Sequence, residues 1–213
     1  MTKVKIIGAG SIGNHLANAA RKKGWDVTIC DNDLDALARM KHEIYPQRYG
    51  SFDKEIKLFH VNDVPRGQFD WIFIGTPPDT HISLAITSLK EKPTGILIEK
   101  PLSGPDLNDC DKLVLSAKEK GIKVFVGYDH VVAKSTGNFL KEAKKLKNIN
   151  SLDVYFREHW GGIFNAHPWL SGPEDSYLGF YKKGGGALAE HSHALNLWQF
   201  LANEIGLGKV KKV

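Results

Sequence analysis

Apolar residues recur along the first 130 positions in two alternating rhythms. Residues 4–7 form a short β-branched run that ends at a glycine turn, and residues 11–23 then carry Ile12, Leu16 and Ala20 at helical spacing. The same alternation predicts strands over 26–30, 56–59, 71–74, 95–99 and 123–126, and helices over 34–42, 78–90 and 106–120. The runs "WIFI" and "ILI" are apolar on both faces, as strands are when helices cover both sides of a parallel sheet. The pattern therefore predicts an α/β class with a doubly wound parallel sheet.

Beyond Tyr128 the rhythm changes. A helix is expected over 135–147, with Phe139, Ala143 and Leu146 on one side, and an alternating strand over 152–156. Residues 159–183 show no sustained period and are rich in glycine, proline and aromatics, as in a long loop that serves a binding site or is disordered. Three glycines then precede a single predicted helix over 187–201 with Leu188, Leu195 and Trp198 as apolar anchors. The division expected is residues 1–128 as the α/β unit and 129–213 as a partial α+β unit.

Composition narrows the function classes. With 42% hydrophobic and 25% charged residues the chain is an ordinary globular protein without repeats. Its net charge of +5 is spread over dispersed lysines, which argues against a nucleic-acid partner. Cys30 and Cys110 are too few for a disulfide framework or a zinc ribbon and fit a reducing compartment. The first apolar run is too short for a signal peptide and no run approaches the ~18 residues of a membrane span, so a cytoplasmic location without membrane contact is expected.

The candidate chemistry begins at "GAGSIG", where Gly8, Gly10 and Gly13 have the spacing that lets a pyrophosphate meet backbone N–H groups at a helix N-terminus, with Ser11 and Ile12 in the same turn. Asp31 ends the second strand, where a carboxylate accepts from an adenosine ribose and repels a 2′-phosphate, favouring NAD over NADP. Arg21, Lys22 and Lys23 are the nearby cations that could offset that preference. Ligands of such sheets sit outside the strand carboxyl ends, which brings in Thr76, Pro77 and His81 after the fourth strand and Glu99 and Lys100 after the fifth. His81 reads better as a helix-end or core histidine than as a catalyst.

Taken in order, "GAGSIGNHLA", "DND", "GTPPDTHISLA", "EKPLS", "VGYDHV" and "GGGALAEHSHALNLW" resemble the Gfo/Idh/MocA family of nicotinamide-dependent sugar and polyol oxidoreductases. The resemblance implies a Rossmann domain, a cis Lys100–Pro101 peptide, and a reversible hydride transfer between NAD and a secondary alcohol of a sugar, polyol or nucleotide-linked sugar. It places Lys100 toward nicotinamide and substrate, His193 as the acid-base residue, Glu190 where the family commonly has aspartate, and Asn196 where it often has another. Family members continue into an open antiparallel sheet, so a partial C-terminal domain with exposed apolar surface is expected here, and a homo-oligomer for a full-length form. A non-catalytic NAD-binding or regulatory module is the alternative. Tyr128, Trp160, His167, Trp169 and Asn196 are the substrate candidates, with Tyr177 a further aromatic face. On one continuous helix His191 and His193 point about 200° apart and cannot share a metal, whereas Glu190 and His193 lie on one face. No metal site is expected.

Overall fold

The computed structural model describes residues 1–210. Its sheet has six parallel strands in the order β3-β2-β1-β4-β5-β6, formed by β1 (Lys3–Ile7), β2 (Asp26–Asp31), β3 (Lys57–His60), β4 (Trp71–Ile74), β5 (Gly95–Ile98) and β6 (Lys123–Val126). The chain is therefore an α/β protein with the predicted doubly wound sheet. The order reverses at β1, which pairs with β2 on one side and β4 on the other, Val4 lying opposite both Val27 and Trp71. That switch point opens a crevice above the strand carboxyl ends.

Two apolar layers hold the sheet. On one face Val4, Ile6, Val27 and Ile29 pack against Ala17 and Ala20 of α1 (Ser11–Lys22) and Leu37 of α2 (Leu34–Arg39). On the other, Ile72, Ile74, Ile96 and Ile98 pack against Ile82, Ala85 and Leu89 after β4 and Leu113 and Ala117 after β5. Ile82 and Ala85 lie on α4 (Pro78–Ser88), Leu89 in the 3₁₀ turn that follows it, and Leu113 and Ala117 on α5 (Cys110–Lys120). Each fully buried isoleucine contributes about 1.5–3 kcal/mol from burial alone. Lys5 also lies within the sheet, buried and paired with Glu91.

Several boundaries differ from the sequence reading. The second helix does not stop at 42; it widens through a π turn at Met40–Ile44 and continues as α3 (Tyr45–Tyr49). Pro46 has no N–H to give and crowds the preceding turn, and the wider π turn accommodates it. Helix α5 begins at Cys110 rather than 106, because Leu107 and Asp109 take positive φ of 54° and 57°.

After β6 the differences grow. Helix α6 (Lys134–Ala143) forms, but among the described residues no strand follows β6, and 152–156 carries no regular structure. A strand needs a neighbouring backbone, and this segment makes side-chain contacts instead: Leu152 O accepts from Trp198 Nε1 at 3.1 Å. The aperiodic stretch contains α7 (Trp160–Ala166) and three short 3₁₀ turns. The expected single helix over 187–201 is two, α8 (Gly186–Glu190) and α9 (Ser192–Glu204), broken where Ser192 Oγ donates to Ala189 O at 2.7 Å. Among the described residues no helix is long and apolar enough to cross a membrane.

Candidate active site

At the end of β1 the three glycines of the first turn answer different demands. A Cβ on Gly13 would lie 2.0 Å from the Gly8 carbonyl oxygen, so this position is closed by helix–strand packing. A Cβ on Gly10 would meet nothing within 4 Å, so here the bare backbone faces open space at the start of α1. A bare backbone facing open space at a helix N-terminus fits a pyrophosphate. Asn14, fully buried, holds the turn by donating from Nδ2 to Ala9 O at 3.2 Å and Gly10 O at 2.8 Å.

Asp31 is oriented by the same turn. Ala9 N–H donates to its Oδ2 at 2.7 Å and Asp33 N–H to its Oδ1 at 2.9 Å, which leaves further lone pairs for ribose hydroxyls. Arg21 is engaged by Asp53 at 2.8 Å and by Trp25 O at 2.8 Å and does not turn toward this acid. Arg48 reaches back from α3 to donate to Ser11 O at 2.9 Å and Ser11 Oγ at 2.8 Å. It sets a guanidinium beside the helix N-terminus, and sequence reasoning missed both it and Asn14. A polar residue on the buried face of α1 was the available signal for Asn14.

The β4 and β5 ends are clipped together from behind. His81 is fully buried, with Nδ1 2.9 Å from Pro101 O and Nε2 2.7 Å from Thr76 O. Burial lowers its pKa and the carbonyls pull the other way. It does not reach the cavity, and so ties the Thr76 turn to the Lys100–Pro101 turn rather than facing a ligand. Thr80 Oγ1 donates to Pro77 O at 2.7 Å and accepts from Thr76 Oγ1 at 2.7 Å. The Lys100–Pro101 peptide is cis.

A cavity of about 430 Å³ lies in the crevice, within the range of small-molecule sites. The Rossmann side supplies Gly10, Ser11, Ile12, Thr76, Pro77, Glu99 and Lys100; the far side supplies Glu190, Tyr177, Leu178, His167 and Trp169. Lys100 Nζ donates to Glu190 Oε1 at 2.8 Å and to Glu190 O at 3.3 Å, joining the two sides. Glu99 packs beneath them, where a Cβ on Gly127 would lie 2.8 Å from its Oε1. Burial pushes its carboxyl up to about 7, against the pull of the Lys100 backbone and charge. Burial likewise raises the Tyr177 phenol, with Glu190 and Glu99 adding to it.

His193, on α9, does not line this cavity; its electrostatic neighbours are Lys100, Glu190, His130 and Asp129. Burial lowers its pKa, with Lys100 and His130 adding to the effect and Asp129 and Glu190 opposing it. Tyr128 meets its ring edge-on at 5.7 Å and Phe156 stacks at 6.1 Å. His191 turns to Glu158, with Nδ1 3.2 Å from Oε2.

The remaining sequence candidates separate. His167 packs on Trp169 at 5.2 Å, and both line the cavity. Trp160 stacks on Phe164 and does not line it. Asn196 lines a different cavity of about 580 Å³ with Trp198 and Leu152, which holds none of the charged pair. Asp31, Gly8 and Gly13 support the turn rather than line the cavity. Cys30 is buried, and burial pushes its thiol up to about 11.

The family model GFO_IDH_MocA, described as an oxidoreductase family with an NAD-binding Rossmann fold, matches residues 2–128. A search of curated proteins gave no match. Among solved structures the chain is similar to GenD2 from gentamicin A biosynthesis, solved in complex with NAD, at 18% identity and a TM-score of 0.66 over 95% of this chain and 54% of that one. It is also similar to the WlbA dehydrogenase from Bordetella pertussis in complex with NADH and UDP-GlcNAcA, at 20% identity and a TM-score of 0.64 over 93% of this chain and 57% of that one. The WlbA (WbpB) dehydrogenase from Thermus thermophilus, in complex with NAD and UDP-GlcNAcA, gives 19% identity and 0.64 over 94% and 63%. At these identities the likeness is one of fold. The chain spans between about half and just under two thirds of the length of these neighbours.

Proposed function

The chain belongs to the Gfo/Idh/MocA oxidoreductase family, with its NAD-binding Rossmann fold in residues 2–128, and we propose that it transfers a hydride between NAD and a secondary alcohol of a sugar, polyol or nucleotide-linked sugar. The observation that carries this reading is the Lys100–Glu190 ion pair, which meets across a cavity lined by the open turn at Gly10–Ile12. Bound NAD supplies a nicotinamide carbon that accepts or returns the hydride. Asp31 favours a free ribose 2′-hydroxyl over a phosphate by charge repulsion.

The chain's own residues handle the oxygen and its proton. Lys100 Nζ, held by Glu190, places positive charge where the substrate oxygen becomes alkoxide-like, an interaction strongest in a site sheltered from water. Glu190 balances that charge when no substrate is present. His193, driven toward its neutral form, is suited to take the hydroxyl proton. Trp169 and Tyr177 offer apolar faces to a ring, and His167 a polar edge.

Two neighbours were solved with UDP-GlcNAcA, so uronic and neutral nucleotide sugars are the first classes to screen, followed by free polyols. With NAD present, growth of the reduced-nicotinamide band on one of these substrates is expected. Lys100→Ala and His193→Ala should each lower turnover by about 10²–10⁴-fold and leave NADH affinity unchanged. Turnover that survives both substitutions contradicts the assignment.

A second reading, an NAD-binding module without turnover, draws support from Leu188 and Leu195, which stand exposed on the two helices that carry Glu190 and His193. It predicts NADH binding with no band growth on any substrate of these classes.

A further inference from the structure

Glu190 Oε1 is paired with Lys100, and a second carboxylate facing His193 comes from another element. After β6 the chain passes Tyr128 into a 3₁₀ turn, Asp129–Val132, which brings Asp129 Oδ1 to 3.7 Å from His193 Nδ1. That ring nitrogen is buried with no hydrogen-bond partner among the described residues. The His193 side chain is only 13% exposed and that of Asp129 is 79% exposed, so the pair runs from the interior to bulk water. His130 stands perpendicular to His193 at 4.5 Å, and the titrating atoms of Asp129, His130 and His193 lie within 4.8 Å of one another.

We propose that Asp129 is a positioning residue that pairs with His193 Nδ1 and passes to solvent the proton that His193 takes from the substrate hydroxyl. The inference rests on the oxidoreductase reading above. In the oxidation direction the C–H bond breaks and its electron pair leaves as hydride to NAD⁺, while the O–H proton moves to His193 Nε2. The proton on Nδ1 passes to the Asp129 carboxylate and from there to water, so the products are ketone, NADH and one released proton. Reduction runs the same path inward.

Three observations support this route. The 3.7 Å separation closes to hydrogen-bond length by rotation of an exposed side chain, and such contacts often tighten only when substrate binds. Tyr128 meets the imidazole edge-on and Phe156 stacks on it, while Asp129 offers it a polar path to solvent. His130, also in contact with Phe156, adds a cation when protonated and not a carboxylate, so it does not replace Asp129. The charged groups facing His193 are thus Lys100 and His130, which disfavour its protonation, and Asp129 and Glu190, which favour it.

The test combines a titration that needs no substrate with a rescue that does. In the full chain, the His193 imidazole resonance, assigned with His193→Gln, should titrate about half a unit to one unit lower in Asp129→Asn than in the wild type. The same variant should lower kcat by about 10–100-fold with KM for NAD unchanged. Formate or imidazole buffer should restore much of that loss, as should Asp129→Glu. An unmoved His193 midpoint, or a kcat loss that no buffer relieves, overturns the proposal. Absence of wild-type turnover would count against the oxidoreductase reading, while the titration midpoint would still decide whether Asp129 and His193 are paired.

Discussion

In residues 1–128 the six-stranded sheet takes Ile6, Ile29, Ile72 and Ile96 entirely out of water. In residues 129–210 the buried apolar side chains among the described residues come down to Ala143, Leu178, Leu201 and Ala202, while Val132, Tyr155 and Leu188 stand 81%, 80% and 72% exposed. The first region is held by its own core and the second largely by what it touches. Lys100 with Glu190 is the ion pair that ties it to the sheet, while His191 with Glu158 and His193 with Asp129 pair inside the second region itself. The cofactor side of the crevice is thus preformed by packing, and the side that brings Glu190 is joined to it by the Lys100 ion pair.

Unequal mutational costs would sharpen that contrast, and equal ones would break it. Ile72→Ala, in the centre of the sheet, should lower the unfolding free energy by about 2–5 kcal/mol in denaturant titrations. Gly13→Ala should follow at about 1–3 kcal/mol, because its methyl cannot fit against the Gly8 carbonyl. Gly10→Val, in the same motif, should leave stability within about 0.5 kcal/mol yet weaken NADH binding at least about tenfold, since its side chain enters the space a pyrophosphate needs. A Gly10→Val protein as unstable as Gly13→Ala would place Gly10 in the packing rather than in the cleft.

Glu99 gives a smaller effect with a definite sign. Its folded pKa of about 7 lies above the ordinary 4.5, so the folded protein binds more protons than the unfolded one between those values. The stability linked to this group is present below about pH 4.5 and is lost as pH rises to about 7. Partial exposure reduces the loss to roughly 1–2 kcal/mol. Glu99→Gln should flatten stability over this window, and an unchanged slope would remove Glu99 as its source. At the bottom of the scale, Leu188→Ser should change stability by less than about 0.5 kcal/mol.

The same division decides what the sequence made legible. The strands "WIFI" and "ILI" could be read because a strand buried between helices leaves a continuous apolar run, and the glycine turn because its spacing answers a local steric demand. Residues 152–156 alternate like a strand but lack a neighbour to pair with, which no local pattern reports. The break at Ser192 comes from one side chain bonding back to a carbonyl, and the π turn at Met40–Ile44 from Pro46 downstream. The motif brought Lys100, Glu190 and His193 forward together, yet Glu190 pairs with Lys100 and the acid facing His193 is Asp129, 64 residues earlier in the chain. Such a partner is set by how the turn after β6 lies against α9. The sequence also put Asn196 beside the site, whereas its position on α9 faces another cavity.

The most direct measurement is a fluorescence titration of the wild-type chain with NADH and, separately, NADPH. Saturable binding of one NADH per chain is predicted, with NADPH at least about tenfold weaker and Asp31→Ala narrowing that gap. Binding of neither nucleotide, or equal affinity for both that Asp31→Ala leaves unchanged, would contradict a cofactor crevice built on the open Gly10 turn and the Asp31 carboxylate.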